Sequence, residues 1–364
     1  MKTADLQLVA HKFNPASLKI AREYRGWQKN DLARRLDVTP SAISQFESGR
    51  ARPNATTIGR FAMALGFPPS FFELKNLKAL SPDQCHFRSL RSCSPIERRR
   101  MLGAGSMLAY IVDFVDEHVH LPEEHVSPVF DFHTTTYEDI EDAANRVRQS
   151  WGLGLGPIEN VTQLFETNGI VVFRLLAECK RIDAFSLWHN ERPLVFLNSE
   201  KESSSRNRFD AAHELGHLVL HADYLPGDAN QEAAAHYFAG AFLLPRESFI
   251  HECPRRLRWD QFLELKGRWG VSLAALVRRA KNLQLISQDT FRRAMVQIGK
   301  RGWRKCEPAE PPVEQPSLIS TAFSLISGHS LSVSSISENL GLPESETINL
   351  IYGDHLQPSL FHAS

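Results

Sequence analysis

Residues 209 to 217 read Phe-Asp-Ala-Ala-His-Glu-Leu-Gly-His, and their types and spacing point to metal-assisted hydrolysis. On a helix, His213 and His217 stand four apart on one face, so their imidazoles can grip one ion. Neutral imidazoles suit Zn²⁺. Glu214, about 100° round the helix from His213, can take a proton from a water beside the metal. A catalytic zinc needs a third protein ligand and one open position. The segment from Glu232 to Pro245 (EAAAHYFAGAFLLP) offers two candidates. It has no β-branched residue and no proline before Pro245, so a helix is expected, and its alanines and Gly240 allow close approach to the first helix. Glu232 is the preferred third ligand. His236, one turn on, is the rival or a group supporting the ligands from behind. His221, four beyond His217, is expected to pack or to play the same supporting part.

Other elements must hold these residues in place. Gly169 to Arg174 and Leu194 to Leu197 read as strands, and Tyr137 to Gly152 as a helix. His86-Phe-Arg-Ser89 leads into a long helix expected from Pro95 to about Val119. Its apolar members are Ile96, Met101, Leu108, Ile111 and Val115, and Pro122 and Pro128 end it.

The front of the chain has a different pattern. Residues 15 to 72 read as four or five short helices. Residues 28–36 place Leu32, Ala33 and Leu36 at helical spacing, and a turn follows at Asp37-Val38. Thr39 is suited to cap the next helix and Pro40 to open it. That helix, Pro40 to Glu47, buries Ile43 and Phe46, leaves Ser41, Ala42, Ser44 and Gln45 outward, and is closed by Gly49. This is a helix-turn-helix with a recognition helix. Residues 1–73 carry 11 Lys/Arg and 6 Asp/Glu, a basic balance suited to DNA phosphates.

Both halves carry family resemblances. Phe209 to His221 with Glu232 to Pro245 resemble the ImmA/IrrE family of zinc endopeptidases. The resemblance extends through Asp183 to Ser186, Pro193 to Asn198, Trp269 to Ala280 and Gly302 to Arg304, roughly residues 160 to 307. It implies His213, His217 and Glu232 as zinc ligands and Glu214 as the catalytic base. The chain departs from the family pattern at Asp210, where Thr is usual, and at His236, where Asn is usual. The helix-turn-helix resembles the XRE (Cro-type) repressor family, which binds double-stranded operator DNA, usually as homodimers. That resemblance places Ser41 and Gln45 at base-reading positions, with Gln28, Lys29, Thr39 and Ser44 completing the DNA-binding set. Lys29 stands where a phosphate-contacting Gln is usual. The His86-Phe-Arg-Ser89 element with its Arg-rich helix also resembles the joint between these modules in fused regulators.

Composition sets the frame. The chain has 364 residues, 42% of them hydrophobic, with no apolar stretch near the ~20 residues of a membrane span and no apolar leader. Five cysteines without paired spacing suggest reduced thiols and a cytoplasmic setting; Cys85 and Cys93 are too irregularly placed for a zinc knuckle. The net charge of zero hides segregation. Residues 113 to 145 hold ten acidic residues and no Lys or Arg, whereas residues 254 to 305 hold fourteen basic residues and three acidic ones. Either run is a solvated face, or the acidic one docks within the chain or dimer, or the basic one touches nucleic acid.

The expected architecture is multidomain and mainly α: an all-α helix-turn-helix domain followed by an α+β zincin-like metallopeptidase domain, with a small sheet and an HExxH helix. The expected boundaries are 1–74 for the DNA-binding domain, 75–135 for a helical connector, 136–306 for the peptidase, 307–316 for an extended Pro/Glu-rich linker, and 317–364 for a small helical appendage that packs or oligomerises. The expected function is a cytoplasmic DNA-binding transcriptional regulator with a zinc endopeptidase. Its protein substrate would be a repressor or the chain itself, cut in response to stress, a mobile element or a single-stranded DNA trigger. The rivals are a transcription factor whose peptidase-like domain is a non-proteolytic sensor, and a toxin–antitoxin or phage-defence component.

Overall fold

The computed structural model describes residues 3–87, 94–128, 136–175, 184–198, 203–225, 228–329 and 331–353. Asp183, Arg88, Ser89 and Cys93 lie outside the described residues, as do residues 129–135 of the acidic run and the end of the appendage from 354.

The chain opens with α1 (Thr3–His11), α2 (Pro15–Tyr24), α3 (Lys29–Leu36), α4 (Pro40–Glu47) and α5 (Ala55–Leu65), closed by a 3-10 turn at Pro69–Glu73. Helix α1 was not anticipated from the sequence. The side chains of Asn14, Thr39 and Asn54 cap α2, α4 and α5 by accepting backbone N–H bonds. Asp37, at φ 48°, makes the left-handed turn between α3 and α4. Leu32, Leu36, Ile43, Ile58, Phe61 and Phe72 fill the core of this bundle. The buried Arg22 guanidinium bonds Glu47 at 2.5 and 3.1 Å and ties α2 to α4.

A two-residue strand, β1 (His86–Phe87), and the connector helix α6 (Pro95–His118) follow. Ser94 and Glu97 form a capping box at the start of α6. Gly103 lies flat on α2: a Cβ there would stand 2.4 Å from the Tyr24 backbone nitrogen. Only glycine allows that approach.

The second half contains α7 (Tyr137–Ser150), α8 (Val161–Thr167), β2 (Val171–Leu175), β3 (Ala184–His189), β4 (Arg192–Asn198), α9 (Ser204–Leu220), α10 (Ala229–Leu243), α11 (Arg246–Glu252), α12 (Trp259–Trp269), α13 (Leu273–Asn282) and α14 (Gln288–Lys300). After an extended stretch come α15 (Leu318–His329), α16 (Val333–Leu340) and α17 (Glu344–Tyr352). The fold is mainly helical and multidomain. The sheet order is β1-β3-β4-β2, with β3 antiparallel to both neighbours and β2 parallel to β4.

Strand alternation gives this sheet two buried faces. Phe173, Phe185, Leu187, Leu194 and Phe196 face one core, which also contains α6, the helix-turn-helix bundle and the C-terminal helices. Val172, Ala184, Val195 and Leu197 face the other core, which contains α9 and α10. The rings of Phe185 and Phe196 stack at 4.4 Å, and those of Phe173 and Phe196 at 5.4 Å. The helix-turn-helix bundle and the second half of the chain therefore share an apolar core across the back of the sheet.

Polar contacts reinforce this arrangement. Asp113 and Asp116 of α6 meet His189 at 2.9 Å and Arg192 at 3.1 Å, so part of the acidic run docks within the chain. The stretch 307–316 is extended and anchored. Glu307 and Glu310 accept from the buried Lys266 ammonium, Glu310 also bonds Ser205, and Glu314 pairs with Arg208. Beyond it, Glu346 accepts from the Tyr24 hydroxyl and from Arg25, each at 2.7 Å, which clamps α17 to the first bundle.

Candidate metal centre

Helix α9 lies on the sheet with Ser205 to Leu220 almost wholly buried. His213 and His217 are each 1% exposed and Glu214 is fully buried. Helix α10 crosses against α9 at small residues. A Cβ on Gly216 would stand 3.0 Å from the Ala235 Cα and 3.1 Å from its carbonyl oxygen. This close crossing brings Glu232, in the first turn of α10, over the two histidines. The three side chains converge. The Nε2 atoms of His213 and His217 are 3.1 Å apart, and the Glu232 carboxylate lies 3.3 Å from the first and 3.4 Å from the second. Among the described residues these three form the group able to hold a metal ion.

The donor chemistry fits zinc. Three ligands of a tetrahedral zinc at about 2.0–2.1 Å from the ion stand about 3.3 Å from one another, which is the spacing seen here. Two imidazole nitrogens and one carboxylate are also a common ligand set for catalytic zinc. Burial raises the Glu232 carboxyl pKa, but hydrogen bonding and charge from His213 and His217 outweigh it, so the group is held well below the usual carboxylate range.

Surrounding residues orient this centre. The other ring nitrogen of His217, Nδ1, lies 3.0 Å from His221 Nδ1, a contact that fixes the ring with Nε2 toward the centre. His221 is fully buried. His236 stands edge-on to His213, with ring centroids 6.3 Å apart, and also packs against Phe209. It is not one of the three converging side chains. The Ser186 hydroxyl on β3 donates to Glu214 Oε2 at 2.7 Å. The sequence pattern gave Ser186 no role beyond its strand. Only the alternation that turns Ala184 and Ser186 toward α9 could have marked it.

In the first bundle, Thr39, Ser41 and Gln45 are exposed on or beside α4. Lys29 donates to the Ser44 hydroxyl at 3.0 Å and approaches Glu47 at 3.6 Å. Gln28, Lys29 and Ser44 line one cleft. Among the described residues no helix is long and apolar enough to cross a membrane.

Comparison with known proteins agrees with this division. Residues 165–281 match a peptidase family described as the IrrE N-terminal-like domain, about a third of the chain. Residues 18–72 match a family described as helix-turn-helix. A 50-residue stretch is 34% identical to Multiprotein-bridging factor 1 of Schizosaccharomyces pombe, covering 14% of this chain and 34% of that protein. The chain thus spans about a third of that relative's length. Residues 18–72 and 165–281 accordingly carry, in one polypeptide, a helix-turn-helix DNA-binding module and an IrrE N-terminal-like module of the peptidase class.

Proposed function

We propose that this chain is a DNA-binding transcriptional regulator whose second half is a zinc-dependent endopeptidase, acting on a repressor or on the chain itself. The observation that carries the reading is the His213–His217–Glu232 triangle with a buried carboxylate, Glu214, on the same helix. His213, His217 and Glu232 would hold Zn²⁺, which when bound would supply a Lewis acid for the scissile carbonyl and for water. Glu214 accepts the proton of the attacking water and returns it to the leaving amine. The Ser186 hydroxyl donates to Glu214 Oε2 and holds the carboxylate in place. His221 keeps His217 oriented. Ser41 and Gln45 read bases, while Gln28, Lys29, Thr39 and Ser44 contact backbone or position the recognition helix. We divide the chain at 1–74, 75–135, 136–306, 307–316 and 317–364. A homodimer on operator DNA, a cytoplasmic setting, and release by a stress, mobile-element or single-stranded DNA signal belong to the same reading.

One observation favours a second reading, in which the peptidase-like half is a sensor that does not cut. β1 pairs with the edge of β3 at Ser186, beside Glu214. An extended substrate would add as a strand at such an edge, and here the chain's own connector occupies it.

The test is purified protein with zinc, alone and with single- or double-stranded DNA, followed over hours by denaturing gel and intact mass beside Glu214→Gln. Fragments in the parent and none in the variant support the peptidase, and their masses give the bond. Equal fragmentation of both refutes the role of Glu214. No fragments, with zinc bound in both, favours the sensor.

A further inference from the structure

A cleft of about 570 Å³ lies between the helix-turn-helix and the connector, lined by residues of both. From the bundle come Lys19, Arg22 and Glu23 of α2, Gln28, Lys29 and Asn30 at the start of α3, and Ser44, Glu47 and Ser48 at the end of α4. Among the described residues of the connector, Arg99 lines it. The charges in the cleft divide into two sets. Arg22 and Glu47 neutralise one another in a buried pair, and Glu23 leans on Arg22 at 3.4 Å. Burial raises the Glu23 carboxyl pKa, with Lys19 and Arg22 opposing the rise. Lys19, Lys29 and Arg99 then leave the cleft positive.

Arg99 is the unusual member. It is half-buried, and its Nε and Nη2 are shut off from solvent with no hydrogen-bond partner among the described residues. A guanidinium held this way is costly unless an acceptor completes it. Its position is not accidental. Gly103, one turn further along α6, seats that helix against the backbone of Glu23 and Tyr24, which presents position 99 along the same face. The cleft is also lined by Ser44 of the recognition helix α4 and by Lys29, which donates to it.

We propose that this cleft takes a DNA backbone phosphate, and that Arg99 of the connector is a DNA contact supplied from outside the helix-turn-helix. The part of Arg99 that lines the cleft meets the phosphate, with Lys19 and Lys29 as further point charges. The contact gives the connector, whose far end packs behind the sheet, a direct hold on the duplex. The proposal rests on the DNA-binding reading of the first module.

The experiment measures binding of a random-sequence DNA duplex by fluorescence anisotropy across a salt series, using the full chain. Each lost phosphate contact lowers the slope of log K against log salt by about 0.9. Arg99→Gln is expected to lower the slope by that amount and weaken binding several-fold at moderate salt, whereas Arg99→Lys restores most of the slope. Arg146→Gln, at an exposed site on α7, leaves it unchanged. A parental slope in Arg99→Gln overturns the proposal while DNA binding itself stands. A parent that shows no salt-dependent duplex binding overturns the DNA-binding reading and the proposal with it. If inorganic phosphate stabilises the parent and not Arg99→Gln, with duplex slopes equal, the cleft belongs to a free anion and the proposal is again overturned. Arg99→Ala is a second variant, with circular dichroism of each protein as the check on folding.

Discussion

Gly216→Ala places one methyl group at the closest crossing of α9 and α10. Helix propensity alone favours the change by about 1 kcal/mol, since glycine is poor inside a helix. Packing opposes it. The new Cβ would stand 3.0 Å from the Ala235 Cα, 3.1 Å from its carbonyl oxygen and 3.2 Å from the Phe238 Cβ. Comfortable carbon contacts lie at about 3.5–4.0 Å, so α10 must retreat by about 0.5 Å. Both obstacles at Ala235 are backbone atoms and cannot rotate away. Overpacking of this kind costs about 1–3 kcal/mol, which cancels or outweighs the propensity gain. The metal centre has less tolerance. Glu232 lies one turn before Ala235 on the retreating helix, and its 3.3 and 3.4 Å spacings to the histidines would stretch toward about 3.8 Å. Zinc sites hold metal–ligand distances to about 0.2 Å, so a tenfold or larger loss of zinc affinity is expected, about 1.4 kcal/mol or more. Titration against a chelating dye reads the affinity, and a melt in chelator reads the apo stability. Zinc affinity equal to the parent's would refute the argument that this crossing sets the ligand triangle.

Two further outcomes are expected. His213→Ala should bind far less than one zinc per chain by elemental analysis; stoichiometry equal to the parent's removes His213 from the ligand set. The anchored glutamates should make stability depend on acid. Burial raises the Glu310 carboxyl pKa, but hydrogen bonds from Lys266 and Ser205 outweigh it and leave it lowered from 4.5. A carboxyl depressed in the folded state stabilises fully above its unfolded value and loses that contribution as pH falls through the folded value. The melting-temperature gap between the parent and Glu310→Gln should thus be widest near neutrality and close below pH 4.5. A gap constant with pH refutes this role for Glu310.

The helix-turn-helix and the histidine pair were legible because their signals are local. Thr39-Pro40 opens α4, Asp37 makes the turn, and His213 with His217 needs only one helix. The approach of Glu232 was readable as helical spacing plus small residues, although its convergence with the histidines depends on how two helices cross. What the sequence did not disclose depends on distant partners. β1 is two residues long and has no period to read; it exists because β3 offers a free edge. Helix α1 has little amphipathic contrast, and α15 is rich in Ile, Phe, Thr and Ser, residues of weak helix preference, so each owes its form to packing. The stretch 307–316 reads as a linker because Pro and Glu dominate it. Its attachment follows from Lys266 and Arg208, residues 41 or more positions away in the chain.

The clamp between Glu346 and Tyr24–Arg25 makes the polypeptide a closed circuit, with its last helices bolted to its first bundle. A single cut in the connector would therefore open the circuit without scattering the pieces. The amino-terminal fragment would stay seated through α15, α17 and the apolar core they share with α6. Proteolysis there would nick the chain, and separating the two pieces would need a second event that pries the last helices loose.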